Sequence, residues 1–139
     1  MKEAIIIFTR VPIPGQTKTR LQSFLTKSQC GEIHKNFLKD IKFTCEKLNR
    51  DIFVFYTPED KNNILKPILG YKYKYKIQEG NDLGQKMYNA INYVLSKKYN
   101  SCILIGTDIP YLKEEDLKNA FKILRDKDIV LGPTMDKGY

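Results

Sequence analysis

The sequence predicts an α/β fold: a mainly parallel sheet with helices on both of its faces. Three observations carry that prediction. Short runs of apolar, β-branched residues alternate with longer amphipathic stretches, the order expected of successive βαβ units. Several of those runs are apolar at every position, so both of their faces must be buried, as in parallel sheets. The loops richest in charge and hydroxyl groups directly follow such runs, and that edge is where open α/β sheets bind ligands.

The first strand is Ala4-Ile5-Ile6-Ile7-Phe8, too short for a helix and rich in β-branched side chains. The loop that follows, within Phe8–Leu21, is stiffened by Pro12 and Pro14 and freed at Gly15. Thr26 or Ser28 then caps a long helix whose apolar stripe is Ile33, Phe37, Leu38, Ile41, Cys45 and Leu48. Phe43 lies off that stripe, and His34, the one histidine, is expected to face solvent without a functional role. Asp51–Thr57 is the second strand, ended by Pro58, and Asp60–Leu69 reads as a short helix broken by Pro67.

Gly70–Ile77 alternates tyrosine with lysine, which places the tyrosines on one face of a strand and the lysines on the other. Gln78–Gly84 is a polar turn into a helix capped by Asn81 or Asp82, with Leu83, Met87, Ala90, Ile91, Val94 and Leu95 as its buried face. Ser101–Gly106 is the fourth strand and Thr107–Pro110 the loop after it. Leu112, Leu117, Ala120, Phe121 and Leu124 mark a last helix whose first turns hold Glu114, Glu115 and Asp116, which suit its dipole. A fifth strand, Asp128–Gly132, leads into Pro133–Tyr139.

The totals narrow the class. The 139 residues suffice for one domain, 1–139, that buries about two-thirds of the surface of its unfolded chain. With 42% hydrophobic and 29% charged residues the chain is globular, not disordered. A net charge of +8 points to polyanionic partners, and fits equally a lysine-rich solvated surface, because the basic residues are spread along the chain. Cys30, Cys45 and Cys102 are odd in number and lack C-x-x-C spacing, which argues against a disulfide framework and a zinc site. Reduced thiols, and an N-terminal apolar run too short for a signal peptide or a membrane span, lead to the expectation of a cytoplasmic protein.

The chemistry concentrates in the loops. The first carries Arg10, Lys18 and Arg20 with no acidic residue among them, and hydroxyls at Thr9, Thr17 and Thr19. It matches neither G-x-x-x-x-G-K-[ST] nor G-x-G-x-x-G, so the two commonest nucleotide loops are excluded. What remains is a turn at Gly15 with main-chain N–H groups, followed by an arginine suited to bidentate phosphate contact and a lysine acting as a point charge. Asp108, in a Thr-Asp-Ile-Pro turn after a buried strand, is placed either to cap the next helix or to bind a hard divalent cation through oxygen. A diphosphate needs both a cationic loop and such a metal, which favours the second alternative.

Phe8-Thr9-Arg10-Val11-Pro12-Ile13-Pro14-Gly15 with Thr17-Lys18-Thr19-Arg20-Leu21 resembles the signature of a bacterial family of glycosyltransferase-like proteins, formerly a domain of unknown function. Asp82-Leu83-Gly84 with Met87, Gly106-Thr107-Asp108-Ile109-Pro110, and Gly132-Pro133-Thr134 with Asp136 and Gly138-Tyr139 match the same family in order. The resemblance covers nearly the whole chain. It implies the nucleotide-diphospho-sugar transferase (GT-A) fold, a Rossmann-like three-layer α/β/α arrangement, and is shared more distantly with guanylyltransferases that make cofactors. It further implies that Thr9, Arg10, Gly15, Thr17, Lys18, Thr19 and Arg20 hold the nucleotide and that Asp82 and Gly84 lie near its base or ribose. On the same ground Asp108 is the ligand of Mg2+ or Mn2+, and Thr107, Thr134 and Asp136 lie on the substrate or acceptor side. Lys137 departs from the Asp-Gly-Gly-Tyr usual in the family at the end of the last motif. Related chains are expected to continue for about a third as much again, supplying an antiparallel strand between the fourth and fifth. The expectation here is a chain truncated at the C-terminus, a gap closed by direct strand pairing, or a homo-oligomer in which a partner chain contributes.

The leading expectation is thus a metal-dependent glycosyltransferase acting on a nucleotide-diphosphate sugar, with an unknown acceptor and no assigned catalytic base. The alternatives are a nucleotidyltransferase of the same fold using a nucleoside triphosphate, and a catalytically incomplete nucleotide-binding fragment. A fourth reading is a nucleic-acid-binding protein that stacks bases on the Tyr/Lys strand. An edge strand whose lysines block pairing explains that composition better, because one aromatic face makes no groove.

Overall fold

The structure is a computed structural model and describes residues 2–13, 26–61, 63–106 and 112–126, excluding the side chains of Lys27, Ser28 and Cys30. The expected fifth strand at 128–132 and the segment after it lie outside the described residues, as do residues 14–25 of the first loop and the 107–111 turn. Four strands, β1 (Glu3–Arg10), β2 (Asp51–Thr57), β3 (Lys74–Ile77) and β4 (Ser101–Gly106), form one sheet in the order β3-β2-β1-β4. Every pairing among them is parallel. The apolar runs account for this directly: Ile5, Ile6 and Ile7 are fully buried in succession, so β1 has a covered neighbour on each face and each side.

The helices α1 (Lys27–Glu46), α2 (Leu65–Leu69) and α4 (Glu114–Leu124) cover one face of the sheet, and α3 (Leu83–Leu95) the other. On the first face Leu38, Ile41, Cys45 and Leu48 from the α1 region meet Ile5, Ile7, Val54 and Ile105, with Leu65, Leu69, Leu117 and Phe121 completing the core. On the second, Ala90 and Val94 pack over Ala4, Ile6, Phe53, Phe55 and Tyr99. Each fully buried leucine or isoleucine contributes about 1.5–3 kcal/mol, so the aliphatic face is the larger source of stability. Thr26 caps α1 through a reciprocal box with Gln29, its hydroxyl accepting from the Gln29 N–H at 3.1 Å.

Five sequence expectations are corrected, the fifth at the Tyr/Lys stretch. The first strand is longer than Ala4–Phe8, because Thr9 and Arg10 find ladder partners in Tyr56 and Thr57 of β2. His34 is buried, with 3% of its surface exposed, because it lies one turn before Leu38 on the apolar stripe. The helix expected over Asp60–Leu69 is only Leu65–Leu69: Asp60 stays outside and accepts from the Ile64 and Leu65 N–H groups at 2.8 and 3.0 Å. Pro67 then sits in the first turn, where the missing N–H costs nothing, and does not break the helix. Finally, Leu83 and Leu95 are 64% and 41% exposed, since they stand at the two ends of α3 and only its middle, Ala90 and Val94, is fully covered by the sheet.

The Tyr/Lys stretch forms an edge strand over Lys74–Ile77, shorter than the expected Gly70–Ile77. Tyr73 and Tyr75 pack against the aliphatic core, and their hydroxyls donate to the Glu46 carboxylate and the Gly70 carbonyl. Lys74 and Lys76 lie on the opposite face, with their ammonium groups 5.1 and 5.0 Å from the centroids of the Phe53 and Tyr93 rings. Tyr73 and Tyr75 cover the core and Lys74 and Lys76 the other face, as the edge-strand reading requires, whereas Tyr71, before the strand, is 71% exposed and Lys72 pairs with Glu46.

Candidate functional site

The chain builds the sheet outward from β1 to β2 to β3 and then returns to place β4 on the other flank of β1. The order of strands therefore reverses between β1 and β4, and the carboxyl ends beside such a reversal are where open α/β sheets bind ligands. Phe8 pairs in register with Gly106, so the segments that begin at Val11 and Thr107 leave the same edge of the sheet side by side. The basic loop and the Asp108 turn are those two segments. Of the residues singled out in the sequence, Thr9, Arg10, Asp82 and Gly84 are described, whereas Gly15, Thr17, Lys18, Thr19, Arg20, Thr107, Asp108, Thr134 and Asp136 lie outside the described residues.

The carboxyl end of β1 at this edge is held by hydrogen bonds from neutral side chains. Thr9 is 3% exposed, and its hydroxyl donates to the Arg10 carbonyl at 2.9 Å. His34 Nε2 lies 2.8 Å from the same carbonyl and 3.2 Å from Thr9 Oγ1. A carbonyl only accepts, so Nε2 carries the proton and α1 donates into the end of β1. The Val11 N–H donates to the Thr57 carbonyl and the Ile13 N–H to the Val11 carbonyl, both at 2.8 Å. The second is an inverse turn across Pro12, which is itself buried with Val11. The first loop thus leaves β1 through a fixed exit.

Two strands away, Gln78 closes the edge from the other side. Its N–H extends the ladder to the Tyr56 carbonyl at 2.8 Å, and its side-chain amide reaches across β2 to the carbonyls of Phe55 and Thr9, each at 3.1 Å. The turn after it is pinned to α3. Asn89 donates to the Glu79 carbonyl at 2.9 Å, and the Asn81 N–H donates to Gln85 Oε1 at 2.9 Å. Gly80 has φ +143°, and a Cβ there would come within 2.8 Å of the Lys86 nitrogen, so only glycine fits. Asp82 is the N-cap of α3, its Oδ1 accepting from the Gln85 N–H at 2.8 Å. Gly84 is exposed, and a Cβ there would meet only Asp82 Oδ1 at 3.4 Å.

Sequence reasoning missed His34 and Gln78. The first had a signal, since 34, 38, 41 and 45 keep the helical spacing of the buried stripe. The second had none, because its partners come from two other strands. Neither described cysteine is poised as a nucleophile: burial pushes the Cys45 thiol up to about 12 and the Cys102 thiol to about 11. Among the described residues no group of three or more His, Cys, Asp or Glu side chains is placed to hold a metal ion. No described helix is long and apolar enough to cross a membrane.

Comparison with known proteins agrees with this architecture. The model of a family described as "Uncharacterized protein conserved in bacteria (DUF2064)" matches residues 42–139. The 2-phospho-L-lactate guanylyltransferase of Methanosphaera stadtmanae is 32% identical over 136 residues, 95% of this chain and 58% of the relative. That of Methanocaldococcus fervens is 25% identical over 126 residues, 87% and 52% of the two chains. The crystal structure of a "putative nucleotide-diphospho-sugar transferase" from Desulfovibrio desulfuricans G20 superimposes with a TM-score of 0.91 at 29% identity, covering 98% of this chain and 60% of that one. The nucleotide-diphospho-sugar transferase fold and the likeness to cofactor guanylyltransferases are both borne out. The chain spans a little over half the length of these relatives, which therefore extend further than the additional third expected from the sequence.

Proposed function

This chain belongs to the DUF2064 family of bacterial proteins, and from that premise we propose that it is a nucleotide-dependent transferase whose donor lies at the carboxyl edge of the sheet. The observation that carries the reading is the reversal of strand order between β1 and β4, from whose adjacent ends the cationic loop and the Asp108 turn depart. Lys18 and Arg20 bind the phosphates of the donor, with Arg10 at the base of the loop and Thr17 and Thr19 as hydroxyl donors. Hydrogen bonds to charged groups contribute about 1.5–3 kcal/mol each, so two or three suffice for micromolar binding. The donor set at Asp108, a carboxylate together with phosphate oxygens, is hard and suits Mg2+ or Mn2+. Such an ion, when bound, supplies positive charge that offsets the charge developing on the leaving phosphate group.

The family's glycosyltransferase-like signature, and the description of the Desulfovibrio desulfuricans structure, favour sugar transfer from a nucleotide-diphosphate sugar. In that reaction an acceptor oxygen attacks the anomeric carbon, the bond to the diphosphate oxygen breaks, and a nucleoside diphosphate departs. The guanylyltransferase relatives favour a second reading, nucleotidyl transfer from a triphosphate, in which the α-phosphorus is attacked and pyrophosphate leaves. In both, fixed cations act on the leaving group, and preorganised charge of that kind is the larger part of catalysis at such sites.

A thermal-shift panel tests the common core, using nucleoside di- and triphosphates and nucleotide sugars, with and without manganese, on wild type and Asp108→Ala. A nucleotide at about 100 times its dissociation constant stabilises by about 2.7 kcal/mol, and Asp108→Ala removes the metal-dependent part of that shift. A wild type that no nucleotide stabilises refutes the reading. Release of nucleoside diphosphate from a nucleotide sugar, against release of pyrophosphate from GTP, separates the two reactions.

A further inference from the structure

We infer that Gln78 reads a hydrogen-bond donor on the nucleoside half of the bound nucleotide, an inference that rests on the nucleotide-site reading above. Its side chain is half-buried at the carboxyl edge, where Nε2 lies 3.1 Å from the Phe55 carbonyl and 3.1 Å from the Thr9 carbonyl. Both partners are main-chain oxygens, which only accept. The orientation of the amide is therefore settled by chemistry: nitrogen toward the strands, oxygen turned away. Both N–H groups are used in this clasp, and only Oε1 remains. Among the described residues nothing donates to it.

That acceptor is held from both directions. The strands hold the amide, and the turn behind it is fixed by Asn89, by Gln85 and by the close approach of Gly80 to the first turn of α3. An acceptor whose side chain is already ordered loses little entropy when a ligand donates to it.

An ionised phosphate offers only acceptors and has no bond to make with Oε1. A base N–H or a ribose hydroxyl does. The strand order puts the same polarity along the edge. The cations of the first loop follow β1 and Asp108 follows β4, whereas Gln78 follows β3 and reaches back over β2 as far as the Thr9 carbonyl of β1. Neighbouring strands lie about 4.8 Å apart, so the clasp, between β1 and β2, stands about one strand spacing from the switch point. The nucleoside accordingly lies over the ends of β1 and β2, beside the end of β3, and the phosphates lie further toward β4.

The test titrates GDP, 2′-deoxy-GDP and inorganic pyrophosphate, in magnesium buffer, into wild type, Gln78→Lys and Gln78→Met, with a thermal melt of each protein. Gln78→Lys keeps a donor for the strand carbonyls and removes the acceptor. It should retain the wild-type melting temperature and bind GDP about fivefold or more weakly, while pyrophosphate binding holds or tightens with the added charge. Gln78→Met loses clasp and acceptor together. It melts lower, yet its GDP-to-pyrophosphate affinity ratio falls in the same direction. If the Gln78→Lys effect vanishes with 2′-deoxy-GDP, the donor is the ribose 2′-hydroxyl; if it persists, the donor is elsewhere on the nucleoside. Equal changes in GDP and pyrophosphate affinity in both variants overturn the inference and leave the phosphate site standing. A wild type that binds neither ligand overturns both.

Discussion

The two edges of the sheet hold the ends of β1 in different ways. At the amino edge, Glu3 is 4% exposed and lies 3.0 Å from Arg50 and 3.7 Å from Arg125, which come from the start of β2 and the end of α4. Beside it the Tyr99 hydroxyl donates to the Asp51 carboxylate, and Lys2 and Asn100 exchange main-chain and side-chain bonds at 2.7 and 2.9 Å. Charge there is cancelled by charge. At the carboxyl edge the described contacts are mixed: Thr9, His34 and Gln78 each serve a main-chain carbonyl, and Lys76 pairs with Glu79 at 3.5 Å where β3 ends. No acidic residue occurs in the sequence between Glu3 and Glu32, so the cations of the first loop have no carboxylate of their own segment to pair with. An edge that pairs its own charges closes the fold. In the proposed reading, the edge that takes the ligand is the one where the end of β1 is held by bonds to main-chain carbonyls.

The largest effect that tests this contrast is Arg50→Ala. It leaves the buried Glu3 carboxylate to the more distant, half-exposed Arg125, and, with Arg50 itself a third exposed, the loss is about 2–3 kcal/mol. Urea unfolding should show that loss, and the folded variant should bind GDP with wild-type affinity. A parallel loss of affinity would mean that the amino edge also shapes the site, and the contrast would fail.

The next effect is smaller and belongs to the other edge. His34→Leu removes the donor to the Arg10 carbonyl, with an expected cost of about 1–2 kcal/mol in unfolding experiments. Because that carbonyl ends β1 where the first loop begins, pyrophosphate and GDP binding should both weaken severalfold. His34→Gln, which keeps a side-chain N–H, should recover part of each. Should His34→Leu lower stability and leave both affinities untouched, the two edges would behave alike.

Much of this architecture was legible in the chain itself. The strands at Asp51–Thr57 and Ser101–Gly106 have the bounds read from the sequence, because their apolar runs end at residues that cannot continue them. The α1 stripe and the Tyr/Lys edge strand were equally visible, since each depends on local periodicity. The exposure of Leu83 and Leu95 was not, because periodicity names a helix face without saying where the sheet beneath it stops. The carboxyl edge was legible only in part. The cationic loop announces itself by composition, but the Gln78 clasp joins residues 78, 55 and 9, and only the register of three strands brings them together. The Glu3 cluster is hidden for the same reason, its arginines lying at 50 and 125.

The smallest effect is silent at neutral pH and separates the edges by titration. Burial, with the hydrogen bond to Asp51 and its negative charge, pushes the Tyr99 phenol up to about 12. The unfolded phenol titrates near about 10. A pKa raised by folding means that the native state holds its proton longer, so this contribution to stability is fully present below about pH 10 and is lost as pH rises through about 12. Burial pushes Tyr75, on the flank of β3, up to about 12 as well, so the wild type should lose stability steeply across that window. Tyr99→Phe removes the phenol at the amino edge and should make the fall between pH 10 and 12 shallower, while GDP affinity at neutral pH stays at the wild-type value. An unaltered alkaline slope would show that the Tyr99 phenol loses its proton as readily in the folded chain as in the unfolded one. The amino edge would then owe its order to the Glu3 pair alone.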